Sequence, residues 1–106
     1  MAQVFQVQVA AQSKEAAAAL VRSAVAARFA AGGQVIGPVT SMYWHLGEFG
    51  TGEEWLAVLK TTEARYPELE KHLVDRHEWE NPEITAIPII AGLAGYLDWV
   101  ERATNG

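Results

Sequence analysis

Two neighbouring stretches decide the fold: Val35-Ile36-Gly37-Pro38-Val39-Thr40-Ser41-Met42-Tyr43-Trp44-His45 and Glu54-Trp55-Leu56-Ala57-Val58-Leu59-Lys60-Thr61. The first is β-branched and aromatic. The second alternates Trp55, Ala57 and Leu59 against Leu56 and Val58, and a period of two is the mark of a strand. Between them, Gly47 to Gly52 is glycine-spaced and predicts a loop, so the pair forms a long hairpin. Pro38 has no backbone donor, which predicts a bend or an edge position for the first strand.

Working outward from this hairpin, Gln3 to Ala10 also alternates, with Phe5, Val7 and Val9 on one side and Gln6 and Gln8 on the other. Ser13 is an N-cap for a helix over Lys14 to Ala31, with Glu15 favourable in its first turn and Gly32-Gly33 as its stop. On the other flank, Pro67 opens a second helix with Tyr66, Leu69, Leu73 and His77 on or beside one stripe. Asn81-Pro82 ends it. Ile84 to Ala91 then predicts a strand, and Leu93 to Arg102 a short helix with Tyr96, Leu97, Trp99 and Val100.

Strand, helix, strand, strand, helix, strand, helix is the order of an α+β ferredoxin-like sandwich, βαββαβ plus a C-terminal helix, in a single domain over 1–106. Its helices cover one sheet face. The other face is then solvated or buried against another subunit, and Trp44, Trp55 and Trp79 are a large aromatic surface for one small domain, which points to oligomerisation.

Composition narrows the function. Of 106 residues, 8 are Lys or Arg and 13 Asp or Glu, a net charge of −5, which disfavours nucleic-acid binding through clustered cations. No apolar run reaches the roughly 18 residues of a membrane span, and the opening Met1-Ala2-Gln3-Val4 lacks the basic and apolar regions of a secretion signal. The absence of cysteine excludes a disulfide scaffold, a thiolate metal site and a cysteine nucleophile, and it fits a cytoplasmic protein.

Few residues carry chemistry. Gly47 to Gly52 superficially resembles a phosphate loop, but it lacks the following Lys-Ser/Thr and lies between strands. His72 and His77 are five apart, on different faces of a helix, so the i, i+4 metal pair is absent, and His72 reads as a surface residue. His77-Glu78-Trp79-Glu80-Asn81-Pro82-Glu83 gathers an imidazole, three carboxylates and an indole in one non-helical turn. That set could hold a divalent cation, or His77 could cap the helix with the acids in water. Lys60, at a strand end beside Thr61-Thr62, could hold an anion or be solvated. Ser13 and Ser41 have no His or Asp at a catalytic spacing.

Several of these stretches together resemble the CutA divalent-cation tolerance family. They are Gly37 to Trp44, Leu59-Lys60-Thr61-Thr62, Tyr66-Pro67-Glu68-Leu69, His77 to Ile84 and Tyr96-Leu97-Asp98-Trp99, in order over nearly the whole chain. The segment His77-x-Trp79-x-x-Pro82-Glu83-Ile84 is similar to the family's His-Pro-Tyr-x-x-Pro-Glu pattern, with Glu78 in place of the proline and Trp79 in place of the tyrosine. The resemblance implies a homotrimer whose long hairpins embrace the neighbours, and a role in tolerance to divalent cations, copper above all. Of the copper ligands proposed in the family, a cysteine and histidines, only His77 remains here, which excludes a tight thiolate copper site. No cofactor is required, and a weakly bound divalent cation such as Cu is expected at His77. Tyr43, Lys60, Tyr66, Trp79 and Glu83 match positions that gather near the subunit boundary in relatives, and with His77 they define an expected intersubunit pocket. The alternative is a trimer that senses a small anion in that pocket around Lys60. An acyl-phosphate hydrolase, suggested by fold alone, ranks last, since Ala10-Ala11-Gln12-Ser13 offers no arginine.

Overall fold

The computed structural model describes residues 2–105. Its elements are β1 (Val4–Ala11), α1 (Lys14–Ala26), β2 (Gly32–His45), β3 (Glu48–Thr62), α2 (Tyr66–Arg76), β4 (Ile84–Ile89) and α3 (Ala94–Thr104). The strands form one antiparallel sheet in the order β2-β3-β1-β4. This is the ferredoxin-like sandwich with its C-terminal helix, and β2 lies at an edge as Pro38 requires. Pro88 lies in β4, the opposite edge, for the same reason.

The core lies where α1 and α2 cover the sheet. Val7, Val9, Ala57 and Leu59 from the strands meet Ala17, Leu20, Ala24, Leu69 and Leu73 from the helices, all buried. Ser13 caps α1 as expected, its Oγ accepting from the Ala16 amide at 3.0 Å. That helix ends earlier than Ala31, however. Arg28 takes a left-handed φ of 63°, and the amides of Phe29 and Ala30 fold back onto the Ala24 carbonyl. The chain then turns to seat Phe29, whose carbonyl accepts from Thr61 Oγ1 at 2.7 Å. Gly32 and Gly33 belong to β2 instead. A Cβ on Gly33 would lie 2.8 Å from Val21 and 2.9 Å from Leu59, so this glycine lets helix and strand approach.

Two further expectations are corrected. The glycine-spaced Gly47 to Gly52 is no loop: the turn is only Leu46-Gly47, both with positive φ (50° and 80°), and Gly50 and Gly52 are paired in β3 opposite Tyr43 and Ser41. Two left-handed residues match the strand twist, which is why so short a turn suffices. Gly50 leaves room for the Tyr43 ring, 2.8 Å from where its Cβ would be. Nor do all helices cover one face. Val4 alternates away from Val7 and packs with Val100, Leu97 and Ala103, so α3 lies on the opposite side of the sheet. The Arg65 Nε and Arg28 Nη1 groups donate to the Thr104 and Ala103 carbonyls at the C-terminal end of α3, satisfying groups the helix leaves unpaired.

The β2–β3 ribbon carries one irregularity. Between the Ile36–Leu56 and Val39–Glu54 pairs, β2 has two residues, Gly37 and Pro38, where β3 has only Trp55. This bulge sits where the ribbon leaves the sheet that the helices cover. Beyond it, Met42, Trp44 (74% exposed), Leu46 (89%) and Phe49 stand exposed at the tip of a molecule 44 Å long.

Candidate functional site

The face of the sheet that α1 and α2 do not cover holds a groove of about 1180 Å³. Gln8 and Ala10 of β1 form its floor, Ser41, Tyr43 and Glu54 of the ribbon one wall, and Trp79 with Glu83 the other. The bulge is what sends Ser41 and Tyr43 there, because it brings odd-numbered β2 residues onto the face of Glu54 and Leu56. Ser41 Oγ donates to Glu54 Oε1 at 2.7 Å, fixing that carboxylate across the ribbon.

His77 ends α2 as its C-cap, in an extended conformation. Its Nδ1 accepts from the Trp79 backbone N–H at 3.0 Å, so Nε2 carries the proton and donates to the Ala10 carbonyl at 2.7 Å. The two rings lie against each other, centroids 4.9 Å apart. Both nitrogens are thereby engaged. His77 fastens the Glu78–Glu83 turn to β1 and holds Trp79 at the groove wall, and a cation reaches its ring only by displacing one of these bonds. Among the described residues no group of three or more His, Asp and Glu side chains is gathered for a metal ion.

Of the expected pocket, the structure brings together Tyr43, Trp79 and Glu83, with His77 behind them. Within one chain it does not add the others. Lys60 pairs opposite Gln6, one rung or about 7 Å beyond Gln8 on the same face. Tyr66 is on the far side of the sheet, edge-on to Phe5 at 5.9 Å, with its hydroxyl donating to Glu70 at 2.6 Å. Burial and the Glu70 carboxylate push the Tyr66 phenol up to about 12.

Sequence reading missed Glu54 and the surroundings of His72. Ser41 and Glu54 are diagonal neighbours once the turn is set at Leu46-Gly47, so the misplaced loop concealed them. His72 is not a surface residue: it is buried, 8% exposed, with its ring edge on Phe29 at 5.2 Å. The hydroxyl of Ser23 donates to the Leu20 carbonyl, so its oxygen accepts from His72 Nε2 at 2.9 Å, while Nδ1 accepts from Arg76 at 3.2 Å. Burial, and then the Arg76 charge, hold this imidazole below its usual range. Its place three residues after Leu69, on the buried stripe of α2, was the available signal.

The family model for the CutA1 divalent ion tolerance protein matches residues 5–103. Among curated proteins, CutA 1, chloroplastic, of Oryza sativa is 34% identical over 88% of this chain and 52% of its own length. The divalent-cation tolerance protein CutA of Thermus thermophilus is also 34% identical, over 88% of this chain and 90% of its own length. The chain thus spans about half the rice relative and nearly all of the bacterial one. Of solved structures, the Thermus thermophilus divalent cation tolerance protein superposes with a TM-score of 0.93 at 32% identity, over 96% of this chain and 99% of that one. CutA1 from Oryza sativa gives 0.94 at 32% identity, over 98% and 95%.

Proposed function

The chain belongs to the CutA1 divalent ion tolerance family, and from that premise we propose that it acts as a homotrimeric binding or regulatory protein in divalent-cation tolerance, touching cations such as Cu(II) weakly through His77. The observation that carries the assembly is the ribbon tip, where Trp44, Leu46 and Phe49 stand in water on a two-stranded arm. Apolar surface of that kind marks an interface. Weak cation contact follows from the His77 hydrogen bonds, since a metal takes up a nitrogen lone pair that now accepts from Trp79. Borderline imidazole and carboxylate donors suit Cu(II) better than Cu(I).

A non-catalytic role is part of this reading. The Ser23–His72 contact runs the wrong way for nucleophilic catalysis, because the imidazole donates to the hydroxyl rather than accepting its proton. A cytoplasmic location is also proposed, resting on the cysteine-free sequence. No helix among the described residues is long and apolar enough to cross a membrane.

The test is a calorimetric titration of Cu(II) into metal-free protein near neutral pH, with His77→Ala alongside. Saturable binding at a fixed ratio per chain, micromolar or weaker and lost in the variant, is expected. Nanomolar binding that survives His77→Ala defeats the assignment. The second reading, a small anion held between subunits, is favoured by Lys60, which has no carboxylate partner among the described residues and lies on the groove's face of the sheet. Loss of ligand-induced thermal stabilisation in Lys60→Ala, in a screen of nucleotides and organic acids, distinguishes it.

A further inference from the structure

A second cavity lies on the other side of His77, between α1 and the end of α2, with a volume of about 320 Å³. Ala11, Ala16, Ala19 and Leu20 line it with apolar surface, and Arg76 and Glu78 bring opposite charges to it. Two alanines on successive turns of α1 keep the space open where longer side chains would fill it. Its volume is at the small end of the roughly 300–1,000 Å³ of ligand sites, which calls for a compact ligand.

The charges define the ligand's chemistry. Arg76 meets the neutral Nδ1 of His72 rather than a carboxylate. The ion pairs among the described residues are Arg65–Glu68 and Lys71–Asp75, so Arg76 and Glu78 pair neither with each other nor with a third group. Ser23, which also lines the cavity, has its proton and one of its two lone pairs committed to protein partners and carries no charge. The cavity thus offers a ligand one cation and one anion, both exposed at its rim, and an apolar wall. We propose that this cavity binds a free apolar α-amino acid, its carboxylate on Arg76, its ammonium on Glu78 and its side chain over Ala16, Ala19 and Leu20. The guanidinium fork suits a carboxylate in particular. The proposal is independent of the cation reading, since it assigns no ligand atom to His77.

Calorimetric titration of leucine into the full chain tests it, with leucinamide lacking the carboxylate and 4-methylpentanoate lacking the ammonium. One leucine per chain is expected, with each truncated analogue about tenfold weaker or more, the loss of one charge-assisted contact. Arg76→Gln and Glu78→Gln each weaken leucine by a similar factor, and Arg76→Lys recovers part of it. Ala19→Trp, which fills the cavity from the α1 side without touching either charge, abolishes binding. Absence of saturable leucine heat overturns the proposal, as does leucinamide binding as tightly as leucine, or unchanged affinity in both Arg76→Gln and Ala19→Trp.

Discussion

The sheet under α1 and α2 and the tip of the β2–β3 ribbon are built from the same kinds of residue and meet opposite fates. Beneath the helices, Val7, Val9, Leu59, Leu69 and Leu73 are sealed from water. At the tip, Met42, Trp44, Leu46 and Phe49 stand in it, sheltered only where the Trp44 and Phe49 rings meet edge-on at 5.9 Å. Apolar character therefore does not by itself decide burial within a chain. The core takes its shape from packing, whereas the tip takes its shape from the backbone ladder and the Leu46-Gly47 turn, leaving its side chains to something outside the chain.

Substitutions can break or sharpen this contrast. The largest effect is expected in the core: Leu73→Ala removes a fully buried side chain and costs about 3 kcal/mol, read from the shift of a urea midpoint at fixed protein concentration. Next comes the turn. Gly47→Ala forces a side chain to a φ of 80° and costs about 1 kcal/mol in the same assay, through backbone strain and not packing.

A pH dependence follows, at the α1–α2 seam. His72 is held neutral in the folded chain, below its ordinary 6.5, so its contribution is complete above that value. It declines as pH falls, because the unfolded chain takes up the proton first. His72→Gln flattens the slope of stability against pH below 6.5, and an unchanged slope assigns it to other groups. The smallest effect on a chain's own fold is expected at the tip. There Trp44→Ala is expected to change the circular dichroism spectrum negligibly while lowering the mass seen by sedimentation from that of the proposed trimer toward that of one chain. A tip variant that unfolds the single chain as Leu73→Ala does would erase the distinction.

The element order and the sheet's dry side were legible because alternation and capping are local signals. Ser13 announced α1, and Val7 and Val9 announced the covered face. What was not legible depended on partners distant in sequence. Gly33 resembles a helix stop until Val21 and Leu59 are seen against it, and Gly50 resembles a loop residue until the Tyr43 ring is seen over it. His72 was misjudged by residue type, since a polar ring is acceptable in a core when Ser23 and Arg76 satisfy both nitrogens. Of the pocket residues, Tyr43, Trp79 and Glu83 meet within the chain. Lys60 and Tyr66 are kept out by sheet geometry: an extra rung separates the first, and the second lies on the opposite face.

The extra residue at Gly37-Pro38 works as a reading-frame shift for side chains. Before it, Val35 faces the helices and Ile36 the open side; after it, Val39, Ser41 and Tyr43 take the open side, and Thr40, Met42 and Trp44 the reverse. Were Gly37 and Pro38 both to continue a regular ladder instead of bulging, the two sets would exchange along the whole arm without one residue of either being altered. Ser41 would leave Glu54, and the groove would be walled by Met42 and Trp44. The composition of the groove is thus written twice, once in the residues of the arm and once in the pairing of the two residues that precede them.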